Sequence, residues 1–357
     1  MKKLDYLEKI KKIDNGEVIS SIENLPFQIR QVLEDGKLIK IPKEYSQIKN
    51  IVVNGMGASN IGAGILKATF GDQLKTPINI VPGYEIPAYI NKNTLYVISS
   101  YSGSTEEPLS VYSEIKKRGA KIIAITAQTG GKLEKLMLAE NIPGYIFNPK
   151  YNKSNIPRLG LGYSVFGIAT LLAKAGLFRI NQKKVEEIIV NLKNWNQKLK
   201  PQTETKNNNA KIFAEKLFNK IIIFVGAEFL TGNLRVLRNQ TCENSKSFAA
   251  YLTLPELNHY AMEGLAYPVS NKNNLIFFFI DSDLYHPRIK KRSELTKSVV
   301  KKNKIAALSY KLKGGSKLEQ SFELLQFGSW LTFYLAVLNE VKPGPNIWVD
   351  WFKKELK

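Results

Sequence analysis

The stretch Thr94-Leu-Tyr-Val-Ile-Ser99 is apolar and runs directly into Ser100-Tyr-Ser-Gly-Ser-Thr-Glu-Glu107, where a helix is predicted to begin. The second part places four hydroxyl side chains and a glycine at the carboxyl end of a predicted strand. Hydroxyl groups, backbone N–H groups and the positive end of a helix together bind anions, most often phosphate. The alternative is a simple N-cap loop, but one hydroxyl group suffices to cap a helix. The sequence therefore predicts an anion site in this loop.

Strands and helices alternate on both sides of this stretch. In the first half, strands are predicted at residues 51–53, 78–81, 94–99, 121–125 and 145–147. After a polar segment at 201–209 the pattern starts again, with strands at 221–225, 275–280 and 305–309. This alternation predicts mainly parallel sheets with helices on both faces. We therefore predict an α/β protein with two domains of similar plan, residues 1–180 with a helical N-terminal extension and residues 181–357.

The composition is strongly basic, with 52 Lys and Arg against 31 Asp and Glu and a formal net charge of +21. Basic proteins often bind nucleic acid, but these lysines are spread over most predicted helices, and the densest region, 290–304, is typical of a solvated helix face. We therefore expect no nucleic-acid partner.

No targeting or membrane segment is expected. No apolar run is long enough to span a membrane, and Met1-Lys-Lys is not followed by the apolar middle of a signal peptide. Cys242 is the one cysteine, so an internal disulfide is excluded and a cytoplasmic location is expected.

A second glycine-rich turn, Gly55-Met-Gly-Ala-Ser-Asn60, follows the first predicted strand. It is similar to the start of the dinucleotide fingerprint G-x-G-x-x-G, but Asn60 replaces the third glycine and no carboxylate ends the next strand. A nicotinamide cofactor is therefore not expected. The turn instead brings the hydroxyl group of Ser59 to a helix start, where it can meet the same anion as the Ser100 loop.

Three further side chains suit proton-transfer chemistry. Arg158 follows Pro157, and such a turn can aim a fixed cation into a cleft; the alternative is a surface arginine. Glu243 stands at a helix end between apolar stretches, which suits a general base; the alternative is a solvent-facing carboxylate paired with Lys246. His259 is either structural or a partner of Glu243, since a carboxylate and an imidazole can divide proton transfers between them.

Metal and serine-hydrolase chemistry find no support in the sequence. The two histidines, His259 and His286, lie 27 positions apart and no cysteine pair exists, so no metal is expected. A G-x-S-x-G elbow is also absent from the sequence.

Five motifs carry a resemblance to a known family. In chain order they are Gly55-Met-Gly-x-Ser59, Ser100-Tyr-Ser-Gly-x-Thr-x-Glu107, Pro157-Arg158, Glu243-Asn-x-Lys246 and Glu256-Leu-Asn-His259. Their order over nearly the whole chain resembles the bifunctional phosphoglucose/phosphomannose isomerases, which are built from two sugar isomerase (SIS) domains. The resemblance implies conversion between fructose 6-phosphate and glucose 6-phosphate, and also mannose 6-phosphate, through a cis-enediol. The alternative is a non-catalytic, phosphosugar-binding regulator of the SIS type, because regulators share the serine loop.

The resemblance also implies roles for individual residues. It assigns the substrate phosphate to four hydroxyl side chains, Ser59, Ser100, Ser102 and Thr105. It makes Arg158 the group that stabilises the enediolate and Glu243 the base that moves a proton between C1 and C2. His259 and a C-terminal lysine assist ring opening; the tail resembles the family's closing helix and points to Lys353, with Lys354 next to it. The histidine comes from the partner subunit, so a homodimer is implied, and neither a metal nor a redox cofactor is needed.

Four positions depart from the family pattern. Ala58 and Asn60 stand where glycines are usual, and Ser104 replaces an asparagine. Gly344 stands between two prolines where the family commonly has threonine. Because the resemblance ties that threonine to acceptance of both epimers, the ratio of glucose to mannose activity is left open.

Overall fold

The computed structural model describes residues 3–14 and 16–356. Within these residues the strands form two parallel sheets. Sheet A contains β1 Asn50–Asn54, β2 Ile78–Ile80, β3 Thr94–Ser99, β4 Lys121–Ala127 and β5 Gly144–Phe147, in the order β2-β1-β3-β4-β5. Sheet B contains β6 Ile221–Ala227, β7 Ala249–Leu254, β8 Leu275–Asp281 and β9 Ala306–Lys311, in the order β7-β6-β8-β9. All seven strand pairs are parallel, as the alternating pattern predicts.

Helices surround both sheets. The first half of the chain contains α1 Leu7–Ile13, α2 Val18–Glu23, α3 Leu25–Asp35, α4 Ala58–Phe70, α5 Glu106–Ser110, α6 Tyr112–Lys117, α7 Lys132–Ala139 and α8 Leu161–Lys174. The second half contains α9 Gln182–Leu199, α10 Asn209–Leu217, α11 Thr231–Asn244, α12 Asn271–Asn274, α13 Pro287–Lys302, α14 Lys317–Leu338 and α15 Ile347–Glu355. None of the helices in the described residues combines the length and apolarity needed to cross a bilayer.

The predicted strands are confirmed, and the structure adds one that the sequence did not indicate. β7 has the sequence Ala-Ala-Tyr-Leu-Thr-Leu and pairs only with β6, at the edge of sheet B. Its middle four residues are half-buried. An edge strand with small residues lacks the continuous valine and isoleucine run of a strand that is buried on both faces. The lysine-rich segment is confirmed as a helix, α13, which packs on sheet B with its lysine side chains largely exposed.

The strand order of sheet A places the two glycine-rich turns side by side. β1 and β3 are neighbours, and the chain leaves them towards opposite edges of the sheet, to β2 and to β4. Ligands of open parallel sheets bind at such a switch point, outside the carboxyl ends of the strands. The Gly55 turn, the Ser100 loop and the segment after β5 therefore all lie at the carboxyl end of the strands of sheet A.

Two of the three hydrophobic cores in the described residues, the core of sheet B and the larger core of sheet A, exchange segments of chain. Leu4, Ile10 and Ile22 from the N-terminal helices pack into the core of sheet B, whereas Ile188 and Leu192 of α9 pack into the core of sheet A. Helix α14 is buried at every position from 320 to 338 and contributes side chains to both cores. These exchanges tie the two sheets together, and the division of the chain at residue 180 stays a prediction.

A glycine contact joins the helices that follow the first strand of each sheet. A Cβ atom at Gly232, on α11, would lie 2.6 Å from the carbonyl oxygen of Gly64, on α4, and 2.7 Å from the Cα atom of Ile65. Both neighbours are backbone atoms, which cannot rotate away. Close approach of α4 and α11 therefore requires glycine at position 232.

We expect Gly232→Ala to lower the free energy of unfolding by about 1–3 kcal/mol, the usual cost of overpacking a tight contact. The matched control is Gly64→Ala on the facing helix, where an added Cβ meets only the Ile80 Cδ1 atom, at 3.8 Å. That change should be neutral or stabilise the fold by about 0.5–1 kcal/mol. Urea titrations compare the two variants, and equal stability of both would contradict the role of this contact.

Candidate active site

The Ser100 loop forms a tight corner at the carboxyl end of β3. Gly103 has a φ of +66°, and a Cβ atom there would lie 3.2 Å from the Cα atom of Gly131. The hydroxyl groups of Ser100 and Thr105 are 2.7 Å apart, and the backbone N–H of Thr105 donates to the Ser100 hydroxyl oxygen at 3.4 Å. Thr105 directly precedes α5. The sequence thus folds into the strand–loop–helix corner that the pattern predicts.

The four predicted phosphate ligands occupy two layers of this corner. Ser59 and Ser100 are buried, and the Ser59 hydroxyl oxygen accepts the Tyr101 N–H at 2.9 Å. Ser102 and Thr105, by contrast, line an open cleft of 780 Å³. In the described structure the outer pair is directly accessible to a ligand, while the inner pair holds the loop in shape. All four phosphate assignments stay proposals.

The loop that carries Arg158 is held by side chains from several elements. The Asn152 amide donates to the Tyr101 hydroxyl oxygen at 2.7 Å and to the Ile156 carbonyl at 2.9 Å. Gln28, on α3, donates to the Leu159 carbonyl at 2.9 Å. Burial raises the pKa of the Tyr101 phenol to about 12, so this hydroxyl group stays neutral. These bonds fix the Arg158 loop relative to the serine loop.

Arg158 and Glu243, from opposite halves of the chain, form an ion pair. The Arg158 Nη1 atom lies 2.9 Å from the Glu243 Oε2 atom, and the Arg158 side chain is only 5% exposed. Its Nε atom donates to Asn244 at 2.5 Å, and its Nη2 atom donates to the carbonyl oxygens of Pro343 and Gly344 at 2.6 and 3.1 Å. Burial lowers the pKa of the guanidinium group and the charge of Glu243 opposes that shift. The sequence-predicted arginine and base are therefore brought together.

Two residues that the sequence analysis did not assign to the site complete this cluster. The Asn346 amide donates to the Glu243 Oε2 atom at 2.9 Å. Lys246, with a φ of +56°, donates from its ammonium group to the carbonyl oxygens of Glu243 and Pro345. Burial, and then the charge of Arg158, lower the pKa of this ammonium group. The Glu-Asn-x-Lys motif marks Lys246, but no sequence signal marks Asn346, which lies 103 positions from Glu243.

Helix α15 connects the ion pair to the serine loop. It begins directly after Asn346, and Asp350 and Lys353 line the same 780 Å³ cleft as Ser102 and Thr105. Lys354 also lines this cleft, so the structure brings both candidate lysines to the serine loop and does not choose between them. The cleft thus carries hydroxyl and ammonium groups, and the Arg158–Glu243 pair lies beside the residue that precedes α15, Asn346.

His259 is not brought to this site within one chain. It ends a short 3₁₀ turn after β7, is exposed, and has no side-chain hydrogen bond in the described residues. Glu243 is the penultimate residue of α11, shortly before β7 begins. The two side chains therefore lie near opposite ends of a six-residue strand, which rises about 3.3 Å per residue. A direct contact between His259 and Glu243 of one chain does not exist in this structure.

No group of three or more His, Cys, Asp or Glu side chains with the geometry to hold a metal ion occurs in the described residues. The cleft and the ion pair together hold hydroxyl, ammonium, guanidinium and amide groups, and carboxylates that include Asp350, Glu106 and Glu107 in the cleft lining and Glu243 in the ion pair. These groups suit recognition of an anion and transfer of a proton.

We expect Ser102→Ala to raise the KM for a phosphosugar substrate by about 10-fold or more, since a hydrogen bond to a charged group contributes about 1.5–3 kcal/mol. The matched control is Ser110→Ala, on α5, whose hydroxyl group donates to the Glu107 carbonyl outside the cleft lining. Steady-state kinetics of both variants check this. An unchanged KM in Ser102→Ala would remove this hydroxyl group from the phosphate site.

Two sheets of parallel strands flanked by helices, with a hydroxyl-rich loop at the switch point of the first sheet, define a protein of the sugar isomerase (SIS) class. The family described as the SIS domain matches residues 44–139, and the bacterial phospho-glucose isomerase C-terminal SIS domain matches residues 206–356. Solved structures share the fold: a hypothetical protein from Thermus thermophilus has a TM-score of 0.76 at 15% identity, covering 98% of this chain and 93% of that one. A glucose-6-phosphate isomerase from Chlamydia trachomatis has a TM-score of 0.70 at 13% identity, covering 98% and 82%.

Curated relatives identify the family. The bifunctional phosphoglucose/phosphomannose isomerase of Caldicellulosiruptor bescii is 33% identical over 344 residues, which cover 95% of this chain and 98% of the relative. The enzyme of the same name from Aquifex aeolicus is 28% identical over 89% of this chain and 93% of its own length. The chain belongs to the bifunctional phosphoglucose/phosphomannose isomerase family.

Proposed function

We propose that the protein interconverts fructose 6-phosphate and glucose 6-phosphate, and also mannose 6-phosphate, through a cis-enediol intermediate. The observation that carries this proposal is the Arg158–Glu243 pair, which is bonded through Asn346 to the start of α15, the helix that lines a cleft together with Ser102 and Thr105. A phosphate held at the hydroxyl loop positions the sugar carbons. A non-catalytic regulator would need the phosphate loop but not the buried arginine–carboxylate pair, and the family relationship also favours the enzyme.

Glu243 is the proposed base, and its two oxygen atoms have different surroundings. Its Oε2 atom accepts hydrogen bonds from Arg158 and Asn346, whereas no hydrogen bond to the Oε1 atom occurs in the described residues. The Oε1 atom is therefore free to take a proton from C1 of the ketose, which leaves a cis-enediolate, and to return it to C2. Transfer of the O1 hydroxyl proton to O2 in the same interconversion completes the aldose. Two donors on the Oε2 atom fix the orientation of the carboxylate while this happens.

Arg158 is proposed to stabilise the enediolate. A guanidinium group has five N–H donors. In the described structure, one is used at Nε, one at Nη1 and both at Nη2. The second N–H of Nη1 therefore remains for an enediolate oxygen, in a buried setting where electrostatic stabilisation is strong.

Ring opening requires an acid and a base near the ring oxygen, and we propose a C-terminal lysine and His259 for it. Lys353 is the assigned lysine and Lys354 the alternative. Because His259 lies at the far end of β7 from Glu243, we propose that the partner subunit's His259 completes the site in a homodimer. We also propose a cytoplasmic location, which the lone cysteine favours, and an enzyme that needs no metal, which retention of activity in EDTA tests.

The experiment that tests the function is formation of glucose 6-phosphate from fructose 6-phosphate, followed with a glucose 6-phosphate dehydrogenase. Mannose 6-phosphate offered as the substrate in the same assay, with glucose 6-phosphate as the detected product, measures the second activity. Binding of both sugars without turnover would favour the regulator.

Gly344 offers a test of epimer selection. Its carbonyl oxygen accepts from Arg158 at 3.1 Å, and an added Cβ atom would meet only the Ile156 Cδ1 atom, at 3.6 Å. A Cβ atom is therefore accommodated at this position, next to the ion pair. We expect Gly344→Thr to raise the ratio of mannose to glucose activity by about 10-fold, the effect of one added hydrogen bond of about 1.4 kcal/mol. Gly344→Val, of equal shape but without a hydroxyl group, is the control; the same ratio in both variants would contradict a role for the hydroxyl group.

A further inference from the structure

The outer edge of β7 pairs with no other strand among the described residues. Sheet edges are normally shielded by charged side chains, proline or a covering element. β9, at the opposite edge of sheet B, ends in Lys311 and is followed by Lys313. β7 contains no charged residue and no proline, and its one ladder partner among the described strands is β6. An uncharged six-residue edge is a ready template for pairing with another strand.

Exposed apolar side chains flank β7 at both ends. Phe248, directly before the strand, is 71% exposed. Beyond the strand, Tyr260 is 55%, Tyr267 is 77% and Val269 is 60% exposed. Exposed apolar side chains on the segments directly before and after an open edge strand favour an interaction surface there. Phe248 precedes the strand, whereas the other three residues follow it. A two-fold axis through the strand would therefore place the Phe248 side of one copy against the Tyr260 side of the other.

The positions of the two proton-transfer residues fit such an axis. Glu243 precedes Tyr251 by eight positions, and His259 follows Tyr251 by eight positions. Tyr251 lies in the middle of β7. In an antiparallel pair centred on Tyr251, the start of one strand lies opposite the end of the other. Each copy then presents its His259 on the side where the other copy carries Glu243.

We propose that β7 pairs antiparallel with β7 of a second copy, about a two-fold axis at Tyr251, so that the two four-stranded sheets form one continuous sheet. The pairing uses the open edge, covers the apolar flanks, and brings the partner subunit's His259 towards the Arg158–Glu243 pair. It deepens the proposed function, on which its catalytic meaning rests, by naming the surface through which the two subunits complete each other's sites.

Disulfide trapping tests the register. In a Cys242→Ala background, Tyr251→Cys places one thiol on the proposed axis, opposite its own copy. Directly opposed residues of an antiparallel pair have Cα atoms about 4.5–5.5 Å apart, within disulfide range. We expect mild oxidation to convert most of this variant to a covalent dimer on a non-reducing gel. Ala250→Cys and Leu252→Cys alone are matched controls, because each is two residues out of register with its own copy.

A second arrangement covers the case in which loss of the Tyr251 ring, over which Arg238 lies at 5.3 Å, unfolds the chain. In the proposed register Ala250 lies opposite the partner's Leu252, so co-expressed Ala250→Cys and Leu252→Cys chains should cross-link only with each other. The proposed pairing would be overturned by any of three results: no cross-linking in either arrangement, a monomer by light scattering, or single controls that cross-link as much as Tyr251→Cys. Cross-linking without isomerase activity would leave the interface intact and overturn the proposed function.

Discussion

Replacing Glu243 with glutamine is expected to lower kcat for fructose 6-phosphate isomerisation by about 10²–10⁴-fold, the contribution of a positioned general base. Glutamine keeps the shape of the side chain, and its carbonyl oxygen can still accept from Arg158 and Asn346. The amide NH2 group takes the position of Oε1, and this group cannot accept the proton from carbon. Coupled-assay kinetics should therefore show a loss in kcat with little change in KM.

The matched control is Glu340→Gln, which removes the carboxylate of an exposed ion pair with Lys9. Its activity should equal that of the wild type. Circular dichroism and urea titration of both variants separate a catalytic loss from unfolding. Wild-type kcat in folded Glu243→Gln would show that another group is the base.

Two inactive variants are expected to restore each other's activity when co-expressed. Glu243→Gln and His259→Ala should each be at least about 100-fold less active than the wild type. In a mixed dimer, one site combines the glutamate of one chain with the histidine of the other and is intact. Random pairing makes half of the dimers mixed, each with one working site of two, so about one quarter of wild-type activity should return.

The control for this experiment pairs Glu243→Gln with the double variant Glu243→Gln/His259→Ala. Every site in that mixture lacks the base, so no activity should return. Purification through two different tags isolates the mixed dimer. Failure of the isolated mixed dimer of the two single variants to exceed its parents would show that His259 acts within its own chain or not at all.

The sequence predicts the sheets well because their strands are buried on both faces. β3 and β8 contain unbroken apolar runs, and such runs need no long-range information to identify them. The sequence does not predict β7, because an edge strand depends on one neighbour, β6, for its structure. The exchange of N-terminal helices and α9 between the two cores was also beyond prediction, because amphipathic faces do not specify which core they cover.

The candidate site likewise has one part that the local sequence predicts and other parts that depend on long-range contacts. The serine loop is local, since strand, loop and helix follow one another within 14 residues, 94–107. The Arg158–Glu243 pair joins residues 85 positions apart, and only motif resemblance suggested that they meet. Asn346 carries no chemistry that stands out in a sequence, and its role emerges from one bond to the Glu243 Oε2 atom. The proposed role of His259 depends on a second subunit, and the pattern of one chain does not show which surfaces two subunits share.

We propose that this chain isomerises a sugar 6-phosphate by proton transfer through Glu243. Fructose 6-phosphate incubated with the purified wild-type protein in deuterium oxide, and followed by proton nuclear magnetic resonance, tests it most directly. We predict formation of glucose 6-phosphate with deuterium at C2, because the proton held by Glu243 exchanges with solvent before it is returned, and no product with Glu243→Gln on the same time scale. The absence of any aldose 6-phosphate from the wild-type protein, or a product formed equally fast by Glu243→Gln, would contradict the claim.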